Sequence, residues 1–369
     1  MKLGDHKKDL GRCTYCPKLC RFCCPTAEVE HRETVTPWFK MSLAERLRSG
    51  QVSADADWAE VFYHCFGCLH CRTHCRHEVD VPGALIQARA ICLEENAAPA
   101  PVLDLLKRQQ STGNPFGEDD LRKKLHAVVD EDLFVPEAQV VVFAGCQAIQ
   151  EASRYLLPLQ KLIKGLKLDY VGVYDGEQLC CGAPLWQAGD FDGFRAHAEQ
   201  LRRSLSEART VICPCPTCAY VLGTVFAQFE VPLSAEVLTL DAFLGPILAR
   251  RKPARRLKGS FTYHDPCYLT RYLDRGKEVR ELLALVLEED LIEPPYHGED
   301  ATCCGGGGLV PHILPNVAQG AAELRAGQLA QSGAEKVITA CPGCLRQLEG
   351  ASSASPYLTL EEILLESYL

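Results

Sequence analysis

Cys180-Cys181-Gly182, with its later copy Cys303-Cys304-Gly305, decides how this chain is read. Each pair of adjacent cysteines keeps the same company. Between Cys146 and Cys180 lie 33 residues, and another 33 lie between Cys181 and Cys215, where Cys218 completes Cys-Pro-Thr-Cys. In the later copy, 35 residues separate Cys267 from Cys303 and 36 separate Cys304 from Cys341, where Cys344 completes Cys-Pro-Gly-Cys. Five cysteines in one order, repeated once, mark an internal duplication. Ten thiols placed by duplication are not incidental core residues.

Two further cysteine runs stand near the start: Cys13-x2-Cys16-x3-Cys20-x3-Cys24-Pro25 and, 40 residues later, Cys65-x2-Cys68-x2-Cys71-x3-Cys75. The second has bacterial ferredoxin spacing. The first differs by one extra residue and a surplus Cys23. Three thiolates from one tight loop can occupy three corners of a 4Fe–4S cube, and in two-cluster ferredoxins the fourth comes from the other run. The spacing therefore assigns one cubane to Cys13, Cys16, Cys20 and Cys75, and a second to Cys24, Cys65, Cys68 and Cys71. Cys23 remains an alternative to Cys20 or Cys24, and Arg76 replaces the usual proline after Cys75. A zinc ribbon is the competing reading, but eight cysteines in two matching runs fit two cubanes better. His64, His70, His74 and His77 crowd the second run and are expected around the ligands rather than among them.

Composition narrows the function. The chain has 369 residues, 47% of them hydrophobic, and a net charge of −9, without the basic face of a nucleic-acid binder. The acidic runs at 118–120 and 288–290 read as solvated surface. The first residues lack an apolar signal core, and no stretch approaches the roughly 18 apolar residues of a membrane span. A cytoplasmic location is expected, with any membrane association made through a partner. Its 21 cysteines then stay reduced, which favours metal over disulfides.

The expected fold is α+β and multidomain. Residues 1–98 form a small helical ferredoxin-like domain, with helices over 36–48 and 82–95, the latter holding Cys92 as a packed thiol. Residues 99–137 form a linker with helical patches at 102–110 and 120–129 and no visible chemistry. Residues 138–256 and 257–369 form two duplicated α/β domains with small parallel sheets. β-runs at 140–143, 211–212, 261–263 and 336–339 each lead into a cysteine motif, followed by helical patterns such as 193–208 and 317–331. Pro158 is expected to kink or split the helix after Cys146. Parallel sheets gather ligands at the carboxyl ends of their strands, so the five cysteines of each half should converge at one mouth. Gly182, Gly305 and Gly306, within the run Gly305–Gly308, suit a backbone that approaches a cluster and donates N–H groups to its sulfurs. A phosphate-cradling loop is the weaker alternative, since no Lys-Ser/Thr follows.

These motifs resemble the heterodisulfide reductase family, in which two ferredoxin motifs are fused to two Cys-Cys-Gly domains. Relatives of the same layout are the iron–sulfur subunits of glycolate oxidase and anaerobic glycerol-3-phosphate dehydrogenase. The resemblance is carried by His264-Asp265-Pro266-Cys267-Tyr268-Leu269-Thr270-Arg271, Cys303-Cys304-Gly305-Gly306-Gly307-Gly308 and Thr339-Ala340-Cys341-Pro342-Gly343-Cys344. It implies two noncubane 4Fe–4S clusters. One would be held by Cys146, Cys180, Cys181, Cys215 and Cys218, the other by Cys267, Cys303, Cys304, Cys341 and Cys344, with Cys213 as an extra thiol. His264 and Asp265 sit beside a ligand and are candidates for an acid/base role, against the alternative that they only shape the strand end.

An electron-transfer subunit is the first functional expectation, passing electrons between a flavoprotein partner or other redox protein and the Cys-Cys-Gly site. The chain has no Gly-x-Gly-x-x-Gly or Walker motif, so the two-electron chemistry belongs to a partner. The alternative is a catalytic subunit that cleaves a small disulfide at its two noncubane clusters. A zinc-stabilised interaction protein is a distant third, because adjacent cysteines are hard to place around a tetrahedral ion. Nucleic-acid binding and direct membrane insertion are not expected.

Overall fold

Short runs of β-branched and aromatic residues set the frame. The computed structural model describes residues 3–135, 137–351 and 355–369. Strands β1 (Val140–Val142), β2 (Val171–Val173), β3 (Thr210–Cys213) and β4 (Glu236–Thr239) make a parallel sheet in the order β2-β1-β3-β4. Strands β5 (Phe261–His264), β6 (Lys336–Thr339) and β7 (Tyr357–Thr359) make a second parallel sheet in that order. Registers are continuous, with Val141 facing Gly172 and Val211, and Tyr263 facing Ile338. Two small parallel sheets are what the duplication implies. Parallel pairing requires crossovers, and helices such as Ala152–Gly165, Phe191–Ser204 and Pro315–Ala330 supply them.

The halves differ by one strand. Ile292 N–H donates to the Phe261 carbonyl at 2.8 Å, where a counterpart of β2 would begin. Pro294-Pro295 follows, and proline has no N–H to continue a ladder. The edge stops at that bond.

The two halves clasp each other reciprocally. Arg154 and Arg275 each stand eight positions after the first cysteine of their half. Arg154 Nη2 donates to Glu362 at 2.9 Å, and Arg275 Nε donates to Asp241 at 2.7 Å. Both acids lie in the first turn of the helix that follows the last strand of the opposite half, at Leu240–Leu248 and Leu360–Tyr368. Pro158 takes part in the same contact. The helix after Cys146 breaks at Glu151, not at Pro158, which sits inside Ala152–Gly165. A proline there leaves the carbonyl of residue 154 without its helical donor. The Thr359 hydroxyl of the other half donates to that carbonyl at 3.1 Å. The helix after Cys146 is thus split, as expected, but at Glu151 rather than at the proline, and the carbonyl that Pro158 frees is satisfied by a bond between halves.

The N-terminal region is helical. Thr36 caps Pro37–Arg48 by accepting from Phe39 N–H at 3.3 Å, and Asp80 caps Val81–Glu94 by accepting from Gly83 N–H at 3.0 Å. Met41, Phe62, Leu85 and Cys92 share its core. It docks on both halves. Tyr63 Oη donates to the Ala188 carbonyl at 3.0 Å and Arg89 Nη1 to the Gln187 carbonyl at 2.7 Å. Tyr272 Oη donates to the Gly67 carbonyl at 2.7 Å. The stretch that follows contains helices Ala100–Thr112 and Leu121–His126. Among the described residues, no helix is long and apolar enough to cross a membrane.

Closest of all is the approach at Gly307 and Gly308. A Cβ on Gly308, whose φ is +64°, would stand 2.0 Å from the Cys65 carbonyl oxygen, and one on Gly307 would stand 2.4 Å from that of Phe66. Backbone cannot yield as a side-chain tip can. Gly308→Ala should therefore destabilise the docked N-terminal region by roughly 2–4 kcal/mol, combining the left-handed penalty with the clash. Gly327→Ala, on a helix with nothing within 4 Å, should be neutral or stabilising. Anaerobic thermal unfolding of both variants against wild type measures the difference.

Candidate metal centres

All ten cysteines of the two repeats line one cavity of about 100 Å³. The strand ends bring them there. β3 and β6 stop two residues before Cys215 and Cys341, and β1 and β5 stop four and three residues before Cys146 and Cys267. In the first half Cys146 Sγ lies 3.7 Å from Cys180 Sγ, and in the second Cys304 Sγ lies 3.2 Å from Cys344 Sγ. The equivalent residues Cys215 and Cys341 meet across the junction within hydrogen-bonding reach. The sites therefore share a wall rather than occupying separate mouths. Hydrogen bonds from Cys146 and then Cys181 hold the Cys180 thiol well below its ordinary range. Cys218 and then Cys341 do the same for Cys215. Cys303, Cys344 and, after burial, His264 act on Cys304. The donors are pushed upward in exchange, as for Cys146 and Cys344. None of the cysteines is in a disulfide. Cys213 ends β3 fully buried beside Cys215, but it does not line the cavity.

The glycines divide in role. Gly305 N–H donates to Cys303 Sγ at 3.4 Å, and a Cβ on Gly306 would lie 3.4 Å from Cys304 Sγ. Gly182, at φ +82°, bonds Cys180 sulfur through its backbone N–H and also leaves room for His197, whose Nε2–H donates to the Cys180 carbonyl at 2.8 Å. Gly307 and Gly308 serve the docking described above.

His264 and Asp265 point different ways. Arg325 Nε donates to His264 Nδ1 at 3.1 Å, which leaves Nε2 as the protonated nitrogen, and His264 lies within hydrogen-bonding reach of Cys304. Burial first lowers the His264 pKa, against the pull of Cys304. Asp265 accepts two bonds from Arg280, at 2.6 and 2.9 Å, and one from Gly298 N–H at 2.8 Å. It does not line the cavity.

The N-terminal cysteines surround two further cavities. Cys13, Cys16, Cys20 and Cys75 line one of about 310 Å³, with Cys71 at its edge. Cys24, Cys65, Cys68 and Cys71 line a tighter one of about 20 Å³, together with Cys23 and Lys40. The grouping by cavity parallels the grouping by spacing, with Cys23 present as a fifth thiol. Burial, then neighbouring thiols, raises Cys13 to about 12 and Cys20 to about 11. Cys68 is drawn down to about 6, chiefly by a hydrogen bond from Cys303. That contact joins the second N-terminal cavity to the second repeat. His64 is held by Glu30 and by Glu60 at 3.1 Å, while His77 lines the first N-terminal cavity.

Positive charge shows what these cavities suit. Lys40, Arg89 and Arg325 are buried and Arg271 half-buried, and among the described residues none has a carboxylate partner. Lys40 is bonded by the Thr26 hydroxyl and the His64 carbonyl. Arg89 donates to carbonyls including that of Cys65 at 3.3 Å, and Arg271 to that of Cys68 at 2.6 Å. Buried cations without counter-charge are costly. Thiolates, the form that binds metal, would provide that counter-charge. The donor set and its cationic surround fit anionic metal–thiolate clusters.

Sequence reading missed the vestibule. A second cavity of about 510 Å³ shares Pro115, Gln147, Gly306, His312 and Gly343 with the ten-cysteine cavity and adds Arg108 and Arg346. Neither arginine has a carboxylate partner among the described residues. Arg346 stacks over Phe116 at 4.9 Å, and Arg108 Nε donates to the Pro115 carbonyl at 3.3 Å. Arg108, Pro115 and Phe116 come from the stretch expected to be a linker without chemistry. Arg346 had a visible signal, standing two positions after the Cys-Pro-Gly-Cys motif; Arg108 had none.

The cysteine-rich CCG domain matches residues 140–223 and 261–349. Over 346 residues the chain is 28% identical to one subunit of the fumarate reductase (CoM/CoB) of Methanothermobacter marburgensis, covering 91% of this chain and 67% of the relative. It is 28% identical to a probable membrane-anchored ferredoxin of Chromohalobacter salexigens, covering 82% of this chain and 46% of that one. It is 25% identical to one subunit of the dihydromethanophenazine:CoB–CoM heterodisulfide reductase of Methanosarcina mazei, covering 68% and 63%. The chain thus spans between 46% and 67% of the length of these relatives.

Burial first, then Arg108 and Arg346, lowers the His312 pKa to about 4. The unfolded chain gains this proton near pH 6.5, so stability is full above that pH and falls as pH drops toward 4. Between pH 7 and 5, His312→Asn should remove roughly 1–2 kcal/mol of the wild type's loss. Anaerobic thermal melts across that interval check it; identical slopes would contradict it.

Proposed function

Because the chain belongs to the heterodisulfide reductase-like iron–sulfur proteins with paired CCG domains, we propose that it is an electron-carrying subunit that also houses a substrate site. The observation carrying this reading is the single cavity lined by all ten repeat cysteines and opening on the arginine vestibule. Cys13, Cys16, Cys20 and Cys75 would hold one cubane 4Fe–4S cluster, and Cys24, Cys65, Cys68 and Cys71 a second. Two noncubane clusters would fall to Cys146, Cys180, Cys181, Cys215 and Cys218, and to Cys267, Cys303, Cys304, Cys341 and Cys344. Bound there, the clusters supply storage and transfer of single electrons.

The residues around them have separable duties. Tyr15, Leu19 and Phe22 are 90%, 62% and 65% exposed on the loop carrying Cys16 and Cys20. That apolar rim is the face offered to a flavoprotein or other redox protein. Lys40, Arg89 and Arg271 hold positive charge against the second N-terminal set, where Cys68 touches Cys303. His264, with its tautomer set by Arg325, stands beside Cys304 sulfur with its Nε2–H otherwise unpartnered; this is a positioning role. Asp265 orders Arg280 and the Gly298 turn, away from any proton transfer.

At the far end, Arg108 and Arg346 draw an anion past His312 at the shared wall toward the cysteines. These groups suit an anionic disulfide, whose cleavage consumes two electrons and two protons and yields two thiols. Components of reductase complexes are among the relatives, which supports redox partners for this chain too. The competing reading is a relay with no substrate of its own.

Turnover by the isolated chain, reduced in advance, separates the two. It should cleave a small carboxylated disulfide, and Arg108→Gln or Arg346→Gln should raise KM roughly tenfold or more with unchanged iron content. No cleavage by the iron-replete chain would leave the relay reading. Cleavage unaffected by either substitution would remove the vestibule from the account.

A further inference from the structure

Bordering the first N-terminal cysteine cavity, which His74 also lines, one cluster of donor atoms has no assigned role. His70 and His74, four residues apart, turn their Nε2 atoms toward each other at 3.3 Å. Asp300 Oδ1 lies 3.1 Å from His74 Nε2 and 3.9 Å from His70 Nε2. The three donors lie within 4.8 Å of one another. A tetrahedral ion with bonds of about 2.0–2.1 Å holds its ligand atoms roughly 3.3 Å apart. The observed triangle already has nearly those edges.

Two surrounding features point the same way. His70 is buried, its other nitrogen, Nδ1, has no hydrogen-bond partner, and the Cys23 backbone carbonyl lies beside the ring. A metal-bound imidazole keeps its second N–H for such an oxygen, and that tautomer frees Nε2 for an ion. Beside the triangle, a cavity of about 420 Å³ reaches Glu28 and Thr302, leaving room for a fourth ligand. The nearby thiols are engaged elsewhere: Cys23 Sγ donates to the Cys20 carbonyl at 3.2 Å, and Cys24 Sγ pairs with the Thr26 hydroxyl at 3.0 Å.

We propose that His70, His74 and Asp300 form a mononuclear site for a divalent transition-metal ion of the zinc class, separate from the cysteine clusters. Two imidazoles and one carboxylate select such an ion over magnesium or calcium, which prefer all-oxygen sites. Its ligands come from two bodies. The histidines belong to the turn at His70–His74, beside Cys68 and Cys71, and Asp300 ends the short turn Gly298–Asp300 of the second repeat. A bound ion would staple the second N-terminal cysteine loop to that repeat, next to the Cys68–Cys303 contact. Neither the substrate nor the direction of electron flow enters this inference.

The test uses the full chain, purified anaerobically with its iron in place so that cysteines do not capture added metal. Zinc is supplied at about one equivalent, the stoichiometry of a single structural site, and free zinc is removed by gel filtration. Wild type and a Glu299→Gln control should retain about one zinc per chain. Asp300→Asn and His74→Ala should each weaken retention by roughly tenfold or more, with iron unchanged. Zinc-edge X-ray absorption should show nitrogen and oxygen ligands near 2.0–2.1 Å and no sulfur. Zinc with sulfur ligands, no zinc retained by wild type, or equal retention by the Asp300→Asn variant would overturn the site.

Discussion

Buried positive charge with no carboxylate bonded to it is the constraint on which this structure depends. Lys40, Arg89 and Arg325 are withdrawn from water and bonded only to neutral groups. In an apolar interior such cations survive only if an anion is held nearby. Asp265 acts on Arg325, and the thiols of Cys65, Cys68 and Cys304 are the other neighbours on hand, each an anion when it binds metal. Cations, thiols and fold therefore support one another: the cysteines need metal to be stable as thiolates, and the cations need those thiolates.

Duplication explains how so many thiols reach one place. Each half builds a parallel sheet whose strand ends present cysteines, and the arginine clasps at Arg154 and Arg275 turn the two sets of ends toward each other. Equivalent residues then meet, as Cys215 does with Cys341. Symmetry is broken where the site differs in chemistry. His264 and Arg325 stand only in the second half, and the N-terminal region reaches that half through Cys68 and the Gly307–Gly308 gap. The first repeat instead has the extra thiol of Cys213.

Cysteine spacing made much of this legible, because ligands to one group must recur at fixed intervals. It separated the two repeats and marked the N-terminal thiols that line two cavities, with Cys71 lining both. Less was legible where the signal was short or lay in contacts between halves. The final strands β4 and β7 were passed over, although Leu238-Thr239-Leu240-Asp241 and Leu358-Thr359-Leu360-Glu361 repeat the same strand-to-helix transition. Three- and four-residue strands are too brief for alternation to stand out. The split expected after Cys146 falls at Glu151 rather than at Pro158, where the freed carbonyl is satisfied by Thr359 from far along the chain. The buried cations have no periodicity or motif, so Lys40 and Arg89 become meaningful only once the thiols around them are placed.

Iron-edge anomalous diffraction from crystals grown anaerobically tests the central claim most directly. Iron is predicted within the ten-cysteine cavity, beside both Cys181 and Cys304, and in the two N-terminal cavities. A cavity containing zinc, no metal, or disulfides between the repeat cysteines would contradict it.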